Sequence, residues 1–403
     1  ALYHGSVKER EKIYKNNKND VLITTYGTLR KDYAQLAYAL GDHFMIVFDE
    51  ATDFKSPKST THKNARFLAK RADRVYGISA TIIMNRLDEA YGIYRVVYPP
   101  LFPTYREFET TYHNFRYERN AFTDGKTKVV SGYRNLQDFR DRIDPYFIGR
   151  TPEEVGEQLP EITPKEYVVE LTKEEKQIYR TEVLAAVKEA KEKNLPKGQA
   201  VFTALRLALC PAIVDTYEEE WKNKRSTKEE ELLELLKDEF SSEKIVIFAN
   251  SKKWINRYQK ILASEGIASV KITGDEDGEE RSKNVNAFNK NDEIKVCLIT
   301  AAGEKGINLQ SARIMIFAQM PWSYGSFKQL LGRIRRLGTK HQSLLCVFLV
   351  AKATADARVS AALKGKKKLF GEIFNDSLET IESDDSQSLE ELYKQISSDL
   401  GVQ

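Results

Sequence analysis

The amino-acid sequence predicts an α/β protein with two doubly wound parallel-sheet lobes and a mostly helical insertion between them. Between about residues 226 and 352, short runs that are apolar throughout alternate with helical patterns, as expected for parallel strands that are buried on both faces. The first hundred residues show the same alternation with only three strands. So thin a sheet leaves edges to cover, and we expect the first lobe to be truncated at its N-terminus.

The composition is that of a globular protein. Of the 403 residues, 41% are hydrophobic and 30% are charged. No apolar run approaches the roughly 18–20 residues that span a bilayer, so no membrane segment is expected. The three cysteines lie far apart, which favours free thiols in a reducing, intracellular compartment over disulfides or a zinc site. The net charge of +4 permits a nucleic-acid partner without arguing for one.

The first predicted lobe spans residues 1–100. Its three strands are predicted at 21–24, 44–48 and 75–78, with helical patterns around 33–40 and 63–70. The insertion and linker follow at 101–225. In this segment, Asp124-Gly125 predicts a hairpin turn between short strands, and helices are predicted at 136–143 and 173–193.

The second predicted lobe spans residues 226–360. Its strands are predicted at 245–248, 270–272, 296–299, 314–317 and 345–350, and its helices at 252–264, 280–289 and 324–337. Residues 361–403 begin with a basic run and end polar and acidic, which predicts a helical brace, a frayed tail and a possible contact for a protein partner.

An acidic pair, Asp49-Glu50, directly follows the strand predicted at 44–48. Ligands of parallel sheets bind beyond the C-terminal ends of the strands. One carboxylate there can hold Mg²⁺ through water and the other can orient an attacking water, as a nucleotide hydrolase requires. The alternative is an ordinary aspartate that caps the next helix.

Two arginines near the end of the chain, Arg333 and Arg336, lie three residues apart in a predicted helix and would share one helix face. Two guanidinium groups on one face can clamp a transferring phosphoryl group. The alternative is a solvated basic surface. A third pattern, Ser79-Ala80-Thr81, follows the strand at 75–78 and is also a common helix start.

In order and spacing these patterns resemble the SWI/SNF-type ATPases of helicase superfamily 2. The resemblance runs over some 350 residues and rests on the following segments: Leu22-Ile23-Thr24-Thr25-Tyr26, Asp49-Glu50-Ala51-Thr52, Gly77-Ile78-Ser79-Ala80-Thr81, Gly306-Ile307-Asn308-Leu309, and Gln329 with Arg333, Arg336 and Gly338. It implies two RecA-like lobes that use ATP and Mg²⁺.

The resemblance also implies roles for individual residues. Asp49 and Glu50 would handle Mg²⁺ and water, Arg333 and Arg336 would be arginine fingers with Gln329 nearby, and Gly306 and Asn308 would couple the nucleotide state to DNA. The residues implied to touch the phosphate backbone of double-stranded DNA are Thr25, Ser251, Thr273, Gly274, Thr300 and Ala301. Contacts with phosphates suit a motor that steps on any sequence, because phosphates carry no base identity.

The sequence departs from the family pattern in its phosphate loop. Gly-x-x-x-x-Gly-Lys-Ser/Thr should lie well before residue 22, and the chain does not contain it there. Gly125-Lys126-Thr127 is no substitute, because Asn120 replaces the first glycine and the segment reads as a hairpin. We therefore expect these residues to be a fragment that binds ATP weakly. Thr52 also stands where the family has histidine.

The resulting expectation is a DNA-stimulated ATPase that, when intact, moves along double-stranded DNA. Two alternatives remain. A strand-separating or branch-migrating superfamily 2 helicase is favoured by Ser79-Ala80-Thr81, and a non-catalytic DNA-binding or regulatory fragment is favoured by the missing phosphate loop.

Overall fold

A computed structural model describes residues 1–16, 20–79, 87–119, 126–149, 159–193, 195, 197–304, 306–321, 324–361, 393–394 and 396–398. They form two units, of which the first is Ala1–Ile148 and the second begins at Gly149. The Asp124-Gly125 turn, Ala80, Thr81 and nearly all of 361–403 lie outside the described residues. None of the described helices is both long and apolar enough to cross a membrane.

The first unit packs helices around a two-stranded parallel sheet and adds a hairpin. Its helices are α1 (Val7–Lys15), α2 (Tyr26–Leu40), α3 (Thr60–Ala69), α4 (Asp88–Val97), α5 (Tyr105–Tyr112) and α6 (Leu136–Ile143). Its strands are β1 (Met45–Phe48), β2 (Arg74–Gly77), β3 (His113–Arg119) and β4 (Lys126–Tyr133).

The predicted strand at 21–24 is wrong. This segment makes one isolated parallel bridge, between Leu2 and Ile23, and no ladder. Val21 and Ile23 are 64% and 60% exposed, and of the three apolar residues in this run only Leu22 packs against the core. Helix α2 instead begins at Tyr26, where the Thr25 hydroxyl caps it.

The second unit contains a six-stranded, wholly parallel sheet in the order β5-β10-β9-β6-β8-β7. The strands are β5 (Glu161–Val169), β6 (Ile245–Phe248), β7 (Ser269–Ile272), β8 (Val296–Ile299), β9 (Ile314–Phe317) and β10 (Ser343–Ala351). The helices are α7 (Lys173–Glu192), α8 (Lys197–Leu209), α9 (Thr227–Lys237), α10 (Lys252–Ser264), α11 (Gly278–Lys290) and α12 (Tyr324–Leu331). The predicted α/β class is confirmed.

The sequence analysis did not predict strand β5. It lies within the segment predicted as mostly helical, and it pairs with β10 along its whole length. Pro164 and a series of exposed polar residues hide the strand pattern. Both are tolerated because β5 is an edge strand, where a missing N–H breaks no ladder on the open side.

Candidate nucleotide and nucleic-acid site

The acidic pair lies at the C-terminal end of β1, as predicted. Two backbone hydrogen bonds hold the residues at this end of the strand. Ile78 N–H donates to Phe48 O and Ala51 N–H donates to Ile78 O, both at 2.8 Å. These bonds hold the turn after β1 against Ile78, the residue that follows β2. Glu50 has a φ of 50°, in the left-handed region that non-glycine residues seldom adopt. Backbone strain of this kind is characteristic of functional sites.

The two carboxylates differ in their surroundings. Asp49 is exposed, and its Oδ1 accepts the backbone N–H of Glu50 at 3.0 Å. Glu50 is half-buried, and its Oε2 is fully buried with no hydrogen-bond partner among the described residues. The short helix that follows, Ala51–Phe54, has no side-chain cap, so the capping alternative is not what the structure shows. An exposed carboxylate beside a buried, unsatisfied one fits a hydrated Mg²⁺ and an oriented water.

Tyr26 supports this turn, a role that the sequence analysis did not assign to it. Its hydroxyl donates to Asp49 O at 2.7 Å, and its ring stacks on Phe48. Burial, helped by the nearby carboxylates, raises the pKa of its hydroxyl, which stays protonated as the donor. Thr25 precedes it and caps α2 by accepting Thr28 N–H at 3.2 Å. The sequence signal for Tyr26 is its place at the end of the Leu22–Tyr26 segment, one of those that carry the family resemblance, and at the start of α2.

In the second unit, the predicted DNA-contacting residues share one edge of the sheet. Strands β6, β8 and β7 are neighbours, and the residues that follow them are, in that order, Ser251, then Thr300 and Ala301, then Thr273 and Gly274. The Thr300 hydroxyl donates to Thr273 O at 2.9 Å, which joins two of the loops. The structure therefore brings five of the six predicted residues to one edge of this sheet.

The hydroxyls of the two threonines at this edge donate hydrogen bonds within the protein. Thr273 and Thr300 are 2% and 4% exposed, and the Thr273 hydroxyl donates to Glu276 at 3.1 Å. Gly274 and Ala301 are exposed at this edge, as are the paired side chains of Lys252 and Asp275. A ligand at this edge would therefore meet Gly274 and Ala301 before it met either hydroxyl.

Glu276 organises the loop after β7 and was also missed. Its carboxylate accepts the backbone N–H groups of Thr273 and Gly274, at 2.6 and 3.1 Å. Burial opposes the charged form, but these hydrogen bonds outweigh it and lower the pKa of Glu276. The signal in the sequence is an acidic residue three positions after a threonine at a strand end, which indicates a local turn.

Arg333 links two segments of the second unit that carry the family resemblance, the loop at 306–309 and the turn after α12. It is 8% exposed, its Nε donates to Gln329 O at 3.0 Å and its Nη1 donates to Ile307 O at 3.1 Å. Leu309 N–H in turn donates to the Arg333 carbonyl at 2.9 Å. Arg333 therefore fixes the 306–309 loop against the end of α12.

The 306–309 loop has its own internal order. Gly306 has a φ of 71°, which glycine adopts without strain. The Asn308 side chain exchanges hydrogen bonds with Gln310, and Asn308 O accepts Asn289 Nδ2–H at 2.8 Å. The loop is thus tied to both α11 and the Arg333 turn.

The prediction that Arg333 and Arg336 share a helix face is wrong. Helix α12 ends at Leu331, and residues 332–335 form turns held by bonds such as Arg333 N–H to Leu330 O. The Arg336 side chain is half-buried, and its Nε donates to Gly332 O at 3.0 Å. Gln329, also half-buried, lies on the last turn of α12. The two arginines therefore differ: Arg333 is anchored inside the unit, while Arg336 lies at its surface.

Comparison with family models decides the family. Residues 1–210 match the model of the SNF2-related domain, and residues 227–338 match the helicase conserved C-terminal domain. The chain belongs to the SNF2-related family. The family assignment made from the sequence is confirmed.

Several relatives of the SNF2-related chain are known. An uncharacterized ATP-dependent helicase of Mycoplasma genitalium is 24% identical over 91% of this chain and 34% of its own length. A SWI/SNF-related matrix-associated actin-dependent regulator of chromatin, subfamily A-like protein 1, of Drosophila melanogaster is 24% identical over 88% of this chain and 44% of its own length. The chain thus spans less than half of these relatives. The SWI2/SNF2 ATPase core of Sulfolobus solfataricus in complex with dsDNA covers 98% of this chain and 80% of that one, at 23% identity and a TM-score of 0.46.

Proposed function

We propose that this SNF2-related chain is the motor part of a DNA-stimulated ATPase that translocates along double-stranded DNA. The family match over both units carries the proposal. The predicted site residues support it, because each set lies at the end of a strand or beside a glycine-containing loop.

ATP and Mg²⁺ would be held on the first unit at the turn after β1. The exposed carboxylate of Asp49 would bind the hydrated cation, and the half-buried carboxylate of Glu50 would hold the attacking water. When bound, Mg²⁺ neutralises charge on the phosphate oxygens. Tyr26 keeps Asp49 in place through the bond to its carbonyl.

Arg336 is the better candidate for a finger that contacts the γ-phosphoryl group. Among the described residues only its Nε has a hydrogen-bond partner, so its terminal nitrogens can serve a ligand. The Arg333 guanidinium is occupied by two carbonyl oxygens and acts as a positioning group for the 306–309 loop. Gly306 and Asn308 in that loop would couple the nucleotide state to DNA.

DNA would meet the second unit at the ends of β6, β8 and β7, and the first unit at Thr25. Ser251 caps α10 by accepting Trp254 N–H at 3.2 Å. Backbone groups near Gly274 and Ala301, together with this hydroxyl, suit contacts with phosphates. Contacts of this kind give affinity that falls with salt and little sequence preference.

The test is ATP turnover with and without duplex DNA, measured on these 403 residues and on the product of the complete reading frame. Arg336→Ala in the complete product should reduce turnover about 10³-fold or more while nucleotide binding is largely kept. Arg313→Ala removes a surface arginine paired with Glu243 in the same unit and is the matched control. Absence of DNA-stimulated turnover in the complete product would refute the motor, and loss of nucleotide binding alone would refute the finger.

The second candidate is a strand-separating helicase, favoured by Ser79-Ala80-Thr81 and by relatives named as ATP-dependent helicases. A triplex-displacement assay beside a strand-displacement assay separates the two. A translocase displaces the third strand of a triplex and leaves a duplex paired, whereas a helicase separates the duplex.

A further inference from the structure

The first unit contains a basic cavity that the proposed motor function does not use. It measures about 420 Å³ and lies between α3 and α4. Four cationic side chains line it, namely Lys63, Arg66 and Lys70 from α3 and Arg95 from α4. The described residues of the lining include no carboxylate. We propose that this cavity binds a compact anion that carries two or more phosphoryl groups.

Among the described residues, no carboxylate pairs with the cations of the cavity, and Arg95 Nη1 donates to the carbonyls of Pro99 and Phe102 at 3.3 and 3.5 Å. In the part of the chain that the structure describes, none of Lys63, Arg66 and Lys70 takes part in an ion pair. The Nε of Arg66 is fully buried and has no hydrogen-bond partner among the described residues. A buried guanidinium N–H without an acceptor is costly, and a bound anion would satisfy it.

The dipole of α3 stabilises only some of the cationic side chains in the cavity. Arg66 and Lys70 lie at the C-terminal end of α3, where cations are favoured. Lys63, however, is in the first turn of that helix, where cations are disfavoured, and Arg95 comes from another helix. The spacing of Arg66 and Lys70, four residues apart, also places like charges side by side. An anionic ligand removes each of these penalties.

His62 lies at the cavity and is 3% exposed. Its Nδ1–H donates to Phe54 O at 2.9 Å, which holds the ring in place. Burial lowers the pKa of His62, and the positive charges of Arg66 and Arg95 lower it further. Because the ring senses the charge in the cavity, its resonances report whether the cavity is occupied.

The size and shape of the cavity favour an oligophosphate. A volume near 420 Å³ exceeds the needs of one phosphate and falls in the range of small-ligand sites. Arginine and lysine together match the oxygen-rich surface of linked phosphoryl groups. Phe67, 41% exposed at the cavity, offers a face to a base. The phosphates can therefore come from an inorganic oligophosphate or from a nucleotide.

The experiment titrates the full chain with pyrophosphate and, in a second arm, with ADP, and measures binding by calorimetry. The double variant Lys63→Gln/Lys70→Gln changes two exposed lysines of the cavity. The double variant Lys8→Gln/Lys12→Gln changes two exposed lysines of α1 by the same net charge and is the control. We expect the cavity variant to weaken pyrophosphate binding at least tenfold and the control to weaken it less than twofold.

Histidine resonances locate the ligand. The chain has five histidines, of which only His62 lines the cavity, so ¹³C-labelled imidazoles assigned by single His→Gln variants separate this site from any other. Pyrophosphate should shift His62 and leave His113 and His341 unchanged. Equal weakening by both lysine variants, or binding without a shift of His62, would overturn the proposal. Tighter binding of ADP than of pyrophosphate identifies a nucleotide as the source, and equal binding identifies the phosphates alone.

Discussion

The two parallel sheets differ in how much of each strand is covered. Every residue of β6, β8 and β9 is buried, whereas β1 buries only Phe48 and β2 buries none. Met45 and Val47 of β1 share a face with Tyr76 of β2 and Ile78 beyond it, and all four are at least half exposed. Within the described residues, helices cover only the other face.

This difference shows that an apolar stretch of sequence can form a strand without being buried. The same pattern predicted strands in both units, but only in the second unit do neighbouring strands and helices seal both faces. A sealed interior also permits buried charge. Lys228 and Asp356 form an ion pair at 0% side-chain exposure in the second unit, while Arg10 and Asp32 pair at 12% and 14% in the first.

The largest expected effect comes from breaking the buried ion pair between Lys228 and Asp356. Asp356→Ala leaves the Lys228 ammonium buried, with only Ala318 O at 2.7 Å as a partner, and should destabilise the second unit by about 3–5 kcal/mol. All three tryptophans follow residue 149, so their fluorescence in a guanidinium titration reports this unit. Glu239→Ala, which breaks an exposed pair with Lys165, should cost about 1 kcal/mol or less. Equal losses of stability in the two variants would show that the Lys228–Asp356 pair is hydrated.

Core truncation compares the two sheets directly. Ile247→Ala in β6 removes a fully buried side chain and should cost about 2–5 kcal/mol. Val47→Ala in β1 removes a side chain that is 51% exposed and should cost about 0.5 kcal/mol or less. Hydrogen exchange followed by peptide mass spectrometry reads each unit separately. A large cost for Val47→Ala would mean that its face is covered in solution.

Two glycines test how tightly helices pack in each unit. In α4, a Cβ on Gly92 would lie 1.7 Å from the Lys55 carbonyl oxygen, so Gly92→Ala should destabilise the first unit by about 1–3 kcal/mol. In α11, a Cβ on Gly278 meets nothing within 4 Å, and Gly278→Ala should stabilise the second unit by about 0.5–1 kcal/mol. In hydrogen exchange, we expect Gly92→Ala to lower the stability of the first unit and Gly278→Ala to raise that of the second. A neutral Gly92→Ala would show that α4 can move away from Lys55.

The smallest expected effect is on acid stability. The hydrogen bond from Arg10 lowers the pKa of Asp32, so this carboxylate stabilises the first unit above its unfolded pKa, about 3.9, and loses that contribution as the pH falls through its folded pKa. Glu276 does the same in the second unit, because its backbone hydrogen bonds also lower its pKa. Asp32→Asn and Glu276→Gln should each flatten the fall in stability below about pH 5, each in its own unit. An unchanged pH profile in either variant would contradict the assignment.

Much of the second unit was predictable from the sequence. Strands β6, β8 and β9 were predicted at the bounds that the structure shows, and α10 matches residue for residue. These segments are apolar throughout or carry a clear helical period, and such patterns are typical of parallel strands buried on both faces and of amphipathic helices. Strand β5 was missed because an edge strand needs no continuous apolar run.

The candidate site was predictable in position but not in geometry. The positions of Asp49, Glu50, Arg333 and Arg336 follow from motif order in the sequence. The roles of Tyr26 and Glu276 do not, because both act through hydrogen bonds to backbone groups that the fold brings close.

The sequence by itself determined the α/β class, the family and the residue types at each strand end. These depend on local periodicity and motif order, which a linear chain contains in full. Only the tertiary structure decided that Arg333 holds a loop while Arg336 is half-buried with its Nε on Gly332 O, and that four cations from α3 and α4 meet in one cavity. Such facts depend on distances between segments far apart in the chain, and these are set by packing rather than by any single stretch of sequence.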